Sequence, residues 1–232
     1  VVRHMEEKVI LGWSGGKDSA LALHEVRKYG DYEVAALLTT LTRDYDRICM
    51  HGVRSILLEQ QAEALGLPLE KIFISKNASN EEYELRMREI LEKYQAQGVG
   101  AAVFGDVFLQ DLRAYREEKL AQIGMKALFP IWNRDTAELA CTFIDLGFEA
   151  IITCANSNLL DISLVGGSFD AQFLSMLPAA VDPCGENGEF HSFVSGGPIF
   201  RRRIPHEIGE VVLRDNGFYY CDLVPPVTAD AR

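Results

Sequence analysis

A short apolar run that leads into a glycine turn and then a helix constrains the fold of this chain more than any other feature. Val9, Ile10 and Leu11 are typical of a strand buried on both faces. The turn over 14–19 reads SGGKDS, and apolar residues recur at helical spacing after it. Adjacent glycines let backbone N–H groups approach an anion, and a helix N-terminus adds partial positive charge. The stretch therefore predicts a phosphate cradle.

Within this turn, each side chain suits a bound nucleotide. Lys17 supplies a full positive charge and the serines supply hydroxyl donors, but the glycine–lysine spacing is too short for the Walker pattern. An alternative from the residues alone is a plain glycine turn in which Asp18 or Ser19 caps the helix. The predicted nucleotide contacts are Ser14, Gly15, Gly16, Lys17, Asp18 and Ser19.

Length and composition indicate one large domain or two small ones. The chain has 232 residues, 48% of them hydrophobic, and a net charge of −11, which argues against a general nucleic-acid-binding surface. No apolar run is long enough to span a bilayer, and we expect no membrane partner. The five cysteines are scattered without a C-x-x-C pair, so we expect a reducing, cytoplasmic setting. Residues 1–4 precede Met5 and are expected to be a cloning remnant.

The order of apolar runs and amphipathic stretches predicts an α/β fold with a parallel sheet covered by helices. Strands are predicted over 9–11, 33–40, 71–75 and 101–105, and helices between them. Residues 127–130 are predicted to be a junction between a first domain over 8–130 and a C-terminal α+β domain over 131–225. Asn216-Gly217 predicts a hairpin in the second domain.

Helix starts are predicted from side chains that cap them. Ser79 with Glu82, and Asp135 with Glu138, have the spacing of capping residues. Residues 43–51 are predicted to form a polar loop.

The stretch 182–191 reads DPCGENGEFH and gathers carboxylates, a thiol and an imidazole around two glycines. Glu189 and His191 share a face if a strand covers 189–194, and such a pair suits acid–base work. The alternative is a glycine turn entering a strand, with Glu186 and Glu189 solvated. Nothing near Cys184 argues for a reactive thiol.

Several isolated residues carry weaker signals. Asp106 follows a predicted strand, and ligands of open α/β sheets bind beyond the ends of the strands. Its position predicts one of three roles: a metal ligand, a substrate contact or a helix cap. His51 is a loop residue that either contacts a ligand or lies on the surface. Arg113 and Arg116 either attract an anion or pair with acidic neighbours on a helix surface.

Two motifs carry a family resemblance. SGGKDS resembles the PP-loop of the N-type ATP pyrophosphatases, a branch of the adenine-nucleotide alpha-hydrolase superfamily whose members split ATP between the alpha and beta phosphates. GENGEFH over 185–191 resembles the second signature of the diphthine–ammonia ligase family, and the likeness spans about 8–225. Residues 50–54 and 104–109 look more like the bacterial branch. The resemblance implies a Rossmann-like fold of the PP-loop ATPase type.

In that family, the ligase adenylates the diphthine carboxylate on elongation factor 2, and ammonia then displaces AMP. The resemblance thus implies ATP and Mg²⁺ as cofactors, a carboxylate-bearing acceptor and ammonia as partners, and leaves room for a homodimer. Asp18 is the expected Mg²⁺ ligand. The rival hypotheses are an ATP-binding sensor without turnover and a PP-loop tRNA-modifying enzyme. The candidate catalytic residues are Lys17, Asp18, Glu186, Glu189 and His191, although in the family acidic and threonine residues follow GEF where this chain has His191 and Ser192.

Overall fold

The computed structural model describes residues 6–43, 47–48, 52–75 and 78–226. Its helices are α1 (Lys17–Tyr29), α2 (Ser55–Leu65), α3 (Asn80–Gln95), α4 (Gln110–Ala121), α5 (Thr136–Asp145) and α6 (Ala171–Met176), with a short 3-10 turn at Ile162–Leu164. Its strands are β1 (Glu7–Gly12), β2 (Tyr32–Thr42), β3 (Arg47–Ile48), β4 (Leu69–Ile74), β5 (Ala101–Val103), β6 (Lys126–Leu128), β7 (Glu149–Asn156), β8 (Phe190–Gly196), β9 (Glu207–Leu213) and β10 (Phe218–Val224).

The first sheet places its strands in the order β4-β2-β1-β5-β6, all parallel, and β3 pairs antiparallel with the end of β2. The chain therefore winds outward from β1 in one direction and from β5 in the other. Ligands of open α/β sheets bind where the winding reverses, beyond the carboxyl ends of the strands. In this sheet, that position lies between the loops after β1 and β5.

Alternation along β1 supplies a core on each face of the sheet. Val9 and Leu11 are fully buried in a core with residues of α1 and α2, whereas Ile10 is buried in a second core with residues of α3 and α4. A central strand buried on both faces reads as an unbroken apolar run, which is why the sequence identified it. The predicted α/β fold with helices on both faces is confirmed.

The second sheet is antiparallel, in the order β8-β7-β10-β9, and includes the predicted hairpin around Asn216-Gly217. It shares the first core: buried Phe190 and Phe193 of β8 belong to the same cluster as Val9 and Leu11. No helix in the described ranges is both long and apolar enough to cross a membrane.

One loop prediction was wrong in part, and two caps are confirmed. Residues 47–48 form β3 inside the predicted loop, and residues 126–128, at the start of the predicted junction, form β6, paired with β5. Both strands are too short to show a periodic pattern. The Ser79 hydroxyl accepts from Glu82 N at 3.2 Å, and an Asp135 oxygen accepts from Glu138 N at 2.9 Å.

Candidate active site

The predicted phosphate cradle lies at the N-terminus of α1. Gly16 is the N-cap and has no side-chain cap, so the first N–H groups of the helix face this end without a carboxylate over them. Two hydroxyls stand beside them: Gly16 N donates to Ser14 Oγ at 3.2 Å, and Lys17 N donates to Ser192 Oγ at 3.2 Å. Ser19 Oγ donates to Gly16 O at 2.9 Å and tightens the turn.

The carbonyl group of Gly15 accepts a hydrogen bond from a buried glutamine, Gln61. This carbonyl accepts from Val194 N at 2.8 Å and from Gln61 Nε2 at 3.0 Å. Gln61 is fully buried, also donates to Val194 O at 2.7 Å and accepts from Trp13 Nε1 at 2.8 Å. Since C=O and N–H point in opposite directions across a planar trans peptide, fixing this carbonyl directs the N–H of Gly16 away from Gln61.

The φ of Gly15, +75°, is in the left-handed region, and a Cβ there would stand 2.7 Å from Gln61 Oε1 and from Leu58 Cδ2. Only glycine satisfies both the backbone conformation and the space at this position.

Lys17 is a buried cation beside a carboxylate. Its side chain is 4% exposed, and Nζ lies 2.9 and 2.8 Å from the two Asp18 carboxylate oxygens. Nζ also lies 5.6 Å from the centre of the Phe190 ring. Burial opposes the charged ammonium, but the attraction of Asp18, together with that of Cys184 and Glu186, outweighs it and raises the pKa of Lys17 above its ordinary value. Lys17 is therefore charged at the mouth of the cradle.

The loop after β5 is packed directly onto this helix start. A Cβ at Gly105 would stand 2.7 Å from the carbonyl carbon and oxygen of Asp18. The next residue, Asp106, forms an ion pair with Arg116 of α4, with Oδ2 and Nε 2.8 Å apart. Burial raises the pKa of Asp106, against the opposing charge of Arg116. Leu109 is the N-cap of α4, so the interpretation of Asp106 as a helix cap is wrong.

The turn over 182–189 is held together by two of its own carboxylates. Glu189 is 5% exposed, and its oxygens accept from Asp182 N, Asn187 N and Asn187 Nδ2 at 3.0–3.1 Å. Asp182 Oδ1 accepts from Cys184 N and Glu186 N. Cys184 Sγ donates to Thr136 O, and burial raises the pKa of this thiol to about 12. Glu189 precedes β8 and fixes the turn from inside.

Glu186 and His191 face the other way, into the cavity. Glu186 Oε1 accepts from Val107 N at 2.7 Å and from Phe108 N at 3.4 Å, which fastens the turn to the β5 loop. Burial raises the pKa of Glu186 to about 7. Burial and the nearby Lys17 charge lower the pKa of His191 to about 4, so this imidazole is neutral near pH 7.

One cavity of about 840 Å³ collects these groups. It contains the cradle, the β5 loop and the open face of the 182–189 turn. Gly15 and Glu189 lie behind its wall and support residues that line it. His51 falls outside the described residues. The predicted site residues that line the cavity are Ser14, Gly16, Lys17, Asp18, Ser19, Asp106, Glu186 and His191.

The carboxylates of this cavity suit Mg²⁺ held together with a nucleotide. Across the described ranges, no cluster of three or more His, Cys, Asp and Glu side chains is arranged to hold a metal. Mg²⁺ commonly takes one or two protein carboxylates and completes its shell with phosphates and water. Asp18 and Asp106 provide such a pair, and Asp106 Oδ2 is buried without a well-aligned hydrogen bond. This donor set fits the ion.

Comparison with protein families agrees with the two motifs. A model described as the diphthamide synthase N-terminal domain matches residues 7–127, and one described as the diphthamide synthase C-terminal domain matches residues 135–223. The chain belongs to the diphthamide synthase family. The resemblance inferred from SGGKDS and GENGEFH is therefore confirmed, whereas assignment to a bacterial branch stays a prediction.

Relatives of this diphthamide synthase family member include proteins named diphthine–ammonia ligase. The one from Schizosaccharomyces pombe is 26% identical over 88% of this chain, but the match covers only 37% of that protein. The one from Danio rerio is 26% identical over 88% of each chain. Among solved structures, the U34-tRNA thiolase NcsA from Methanococcus maripaludis aligns with a TM-score of 0.38 and 14% identity, over 61% of this chain and 58% of that one. That likeness is too distant to bear on function.

Two residues of the site were not identified from the sequence. Gln61 lies in an ordinary amphipathic helix, and Ser192 in a strand that meets the cradle only through the fold. For Arg113 and Arg116, the sequence left open either attraction of an anion or pairing on the helix surface. Arg116 lines the cavity, whereas Arg113 forms the expected surface pair with Glu117 at 2.8 Å. The sequence does distinguish the two arginines, because Arg113 has an acidic residue four positions further along the helix.

Proposed function

We propose that this chain is an AMP-forming, ATP-dependent ligase that activates a carboxylate and transfers it to ammonia. The observation that supports the proposal is the meeting of two distant motifs in one cavity: the cradle of α1 and the open face of the 182–189 turn. The family supports a ligase, and the names of the relatives suggest diphthine as the acceptor.

ATP binds with its beta and gamma phosphates at the N-terminus of α1. Gly16 and Lys17 N–H groups turn from the Ser14 and Ser192 hydroxyls to phosphate oxygens, and Lys17 Nζ exchanges the Asp18 carboxylate for the same anion. Bound Mg²⁺ would neutralise phosphate charge, with Asp18 and Asp106 as its protein ligands. Fixed donors aimed at the leaving pyrophosphate stabilise the charge that develops there.

The chemistry has two steps. A carboxylate oxygen of the acceptor attacks the alpha phosphorus, the bond to the beta-phosphate oxygen breaks, and pyrophosphate leaves. Ammonia then attacks the acyl carbon, the carbon–oxygen bond to AMP breaks, and the nitrogen gives up a proton. Glu186 accepts that proton, since its raised pKa makes it a base suited to neutral pH.

Neutral His191 offers a hydrogen bond beside the acceptor, and Glu189 holds the turn in place from behind. We therefore propose contact roles for Glu186 and His191 and a positioning role for Glu189.

Phosphorus NMR of ATP tests the proposal. Protein, Mg²⁺-ATP and ammonium are incubated with and without a panel of carboxylates that includes diphthine-bearing elongation factor 2. We expect AMP and pyrophosphate only when the acceptor is present. ADP and phosphate would contradict the proposed cleavage, and tight ATP binding without turnover on any acceptor would favour a nucleotide sensor.

Lys17→Ala is the matched variant for this experiment. We expect it to raise the barrier to AMP formation by about 3 kcal/mol, because one donor to the developing charge is lost. Arg113→Gln, on the surface of α4, serves as the control and is expected to keep the wild-type rate. Unchanged AMP formation by the Lys17 variant would remove this residue from the mechanism.

A further inference from the structure

The segment 131–136, which leads from β6 into α5, contacts three elements of the site. Fully buried Ile131 anchors it in the first core. Arg134 pairs with the buried Glu25 carboxylate of α1, with Nη1 and Oε1 3.5 Å apart. All six residues are described, and none of them lines the cavity. Any effect of this segment on the site is therefore exerted through the elements that it contacts.

The first contact is with the loop after β5. Asn133 N donates to Val107 O at 2.7 Å. The N–H of the same peptide unit belongs to Phe108 and donates to Glu186 Oε1 at 3.4 Å, and Val107 N donates to the same oxygen at 2.7 Å. Because C=O and N–H point in opposite directions across a trans peptide, the hydrogen bond from Asn133 directs the Phe108 N–H toward Glu186.

Asn133 has an uncommon backbone conformation. Its φ is +57°, and among the described residues it is the only one other than glycine with a positive φ. Asparagine adopts the left-handed region more readily than most residues, and the Asn133 side chain is exposed. Residues fixed in this region by their surroundings cluster at functional sites. The conformation therefore serves the placement of the Asn133 N–H.

The second contact is with the turn over 182–189. Thr136 Oγ1 donates to Asp182 Oδ2 at 2.7 Å, and Thr136 O accepts from Cys184 Sγ at 3.2 Å. The other oxygen of Asp182, Oδ1, accepts from Glu186 N at 3.1 Å. Asp182 thus links the Thr136 hydroxyl to the backbone of Glu186. The segment reaches Glu186 from two directions: its backbone through the turn and its carboxylate through the β5 loop.

We propose that Asn133 and Thr136 are positioning residues that set the Glu186 carboxylate in the wall of the cavity. The inference rests on the proposed function for the role of Glu186 and adds residues that touch neither nucleotide nor acceptor. Thr136 fixes the turn and Asn133 fixes the β5 loop, so one short segment sets the gap that the Glu186 side chain bridges. A proton acceptor must lie within hydrogen-bonding reach of the attacking nitrogen, and small displacements slow the reaction.

Hydrogen exchange of the Val107 and Phe108 amides measures the contact with Glu186 in the full-length protein. Thr136→Val removes the hydroxyl and keeps the branched shape, whereas Thr136→Ser keeps the hydroxyl. Rates are expressed relative to the Leu11 amide of the central strand β1, which reports global unfolding. We expect both amides to exchange about tenfold faster in Thr136→Val, because a buried carboxylate loses a hydrogen bond, and at the wild-type rate in Thr136→Ser.

A second pair of variants tests the backbone conformation of Asn133. Glycine adopts a positive φ without a steric cost, whereas alanine does not. Asn133→Ala should speed exchange of the Phe108 amide by about fivefold or more, and Asn133→Gly should leave it unchanged. This order is the reverse of the one expected from chain flexibility alone, since glycine is the more flexible residue.

Kinetics separate positioning from nucleotide binding. With the carboxylate that supports AMP formation by the wild type, Thr136→Val should lower kcat about tenfold and leave the KM for Mg²⁺-ATP unchanged, because the cradle keeps its contacts. A higher KM for Mg²⁺-ATP with an unchanged kcat would assign Thr136 to nucleotide binding and overturn the proposal.

Two exchange results would also overturn it. They are wild-type rates at Val107 and Phe108 in Thr136→Val, and faster exchange of Phe108 in Asn133→Gly than in Asn133→Ala. The exchange measurements need neither ATP nor an acceptor. Failure of the wild type to form AMP would therefore reject the ligase reaction, while the exchange rates alone would decide whether the segment 131–136 positions Glu186.

Discussion

Gln61 orients the phosphate loop from a position that no ligand reaches. It is fully buried, and it joins the Gly15 carbonyl, Val194 of β8 and the Trp13 indole through three hydrogen bonds. A side chain of this kind fixes which N–H groups of the loop face an incoming phosphate. The loop geometry therefore depends on α2 and β8 as much as on its own glycines.

Replacing Gln61 by Met keeps the volume and removes the hydrogen bonds. We expect a loss of about 1–3 kcal/mol in the free energy of unfolding, since buried carbonyls lose a donor. ATP affinity should fall as well, because the Gly15 carbonyl keeps only one of its two donors. Calorimetric titration measures the affinity.

Met125→Ala, in the core on the opposite face of the sheet, is a stability control that does not line the cavity. It should lower stability while ATP affinity stays unchanged. If the Gln61 variant bound ATP as tightly as the wild type, the Gln61 side chain would have no role in positioning the loop.

Glu186 predicts the pH dependence of amide formation. Burial raises its pKa to about 7, and only the deprotonated carboxylate accepts a proton from the attacking nitrogen. AMP formation with the acceptor present should therefore rise as the pH passes through about 7. Glu186→Gln should be slow and should lack this step in its pH–rate profile; an identical step in the variant would assign the titration to another group.

The same carboxyl also affects stability, with a definite sign. Its pKa in the folded state lies above the unfolded value, so the folded protein binds more protons between the two values. Its contribution to stability is full at acidic pH and is lost as the pH rises through about 7. His191 acts in the opposite sense: its lowered pKa makes its contribution fall as the pH drops toward about 4.

At the level of residues, the sequence predicted contacts that are neighbours along the chain and missed those that only the fold brings together. SGGKDS carries its glycines, lysine and serines in one turn, so its chemistry is readable locally. Ser192, by contrast, reaches Lys17 N from 175 positions away. The burial of Glu189 beneath the turn could not be predicted from the sequence. The strand β8 begins one residue later, so the alternation of side chains along a strand does not apply to Glu189.

At the level of elements, two glycines flank β5 and differ in what surrounds them. A Cβ at Gly105 would stand 2.7 Å from backbone atoms of Asp18, whereas a Cβ at Gly100 would meet the end of the flexible Glu7 side chain at the same distance. Gly105→Ala should push the β5 loop away from α1 and weaken ATP binding by tenfold or more, measured by titration. Gly100→Ala should bind ATP normally, and equal effects of the two would contradict the close packing of loop and helix.

Elements were predictable where burial leaves a regular pattern. The central parallel strands are continuous apolar runs, and α3 and α5 carry capping side chains that mark their starts. β6 has three residues, and its strand character comes from pairing with β5 in the register Ala102 to Ala127. Such pairing is a tertiary effect, so no local rule distinguishes this segment from a loop.

At the level of the whole molecule, one hydrophobic core runs through both sequence segments. Leu11 of β1 and Phe193 of β8 belong to the same buried cluster, and Gly15 and Val194 are joined by a backbone hydrogen bond. A division of the chain near residue 130 stays a proposal about sequence organisation. Packing of this kind favours a single cooperative unit.

Cooperativity is measurable with the two tryptophans of the chain. Trp132→Phe leaves Trp13 in the first segment as the fluorescence reporter, while far-UV circular dichroism follows both sheets. We expect coincident denaturant midpoints and an equal upward shift of both with Mg²⁺-ATP. Separate midpoints would show that the segments unfold independently.

The hydrogen bonds between the cradle and β8 also bear on how members of this family diverge. Lys17 N donates to Ser192, and Glu186 accepts from the β5 loop. The geometry of each signature therefore depends on a hydrogen bond to the other half of the chain. A recombinant that joins the first half of one homologue to the second half of another would break the match even where both parents carry intact motifs. We therefore expect the two signatures to be inherited as one module.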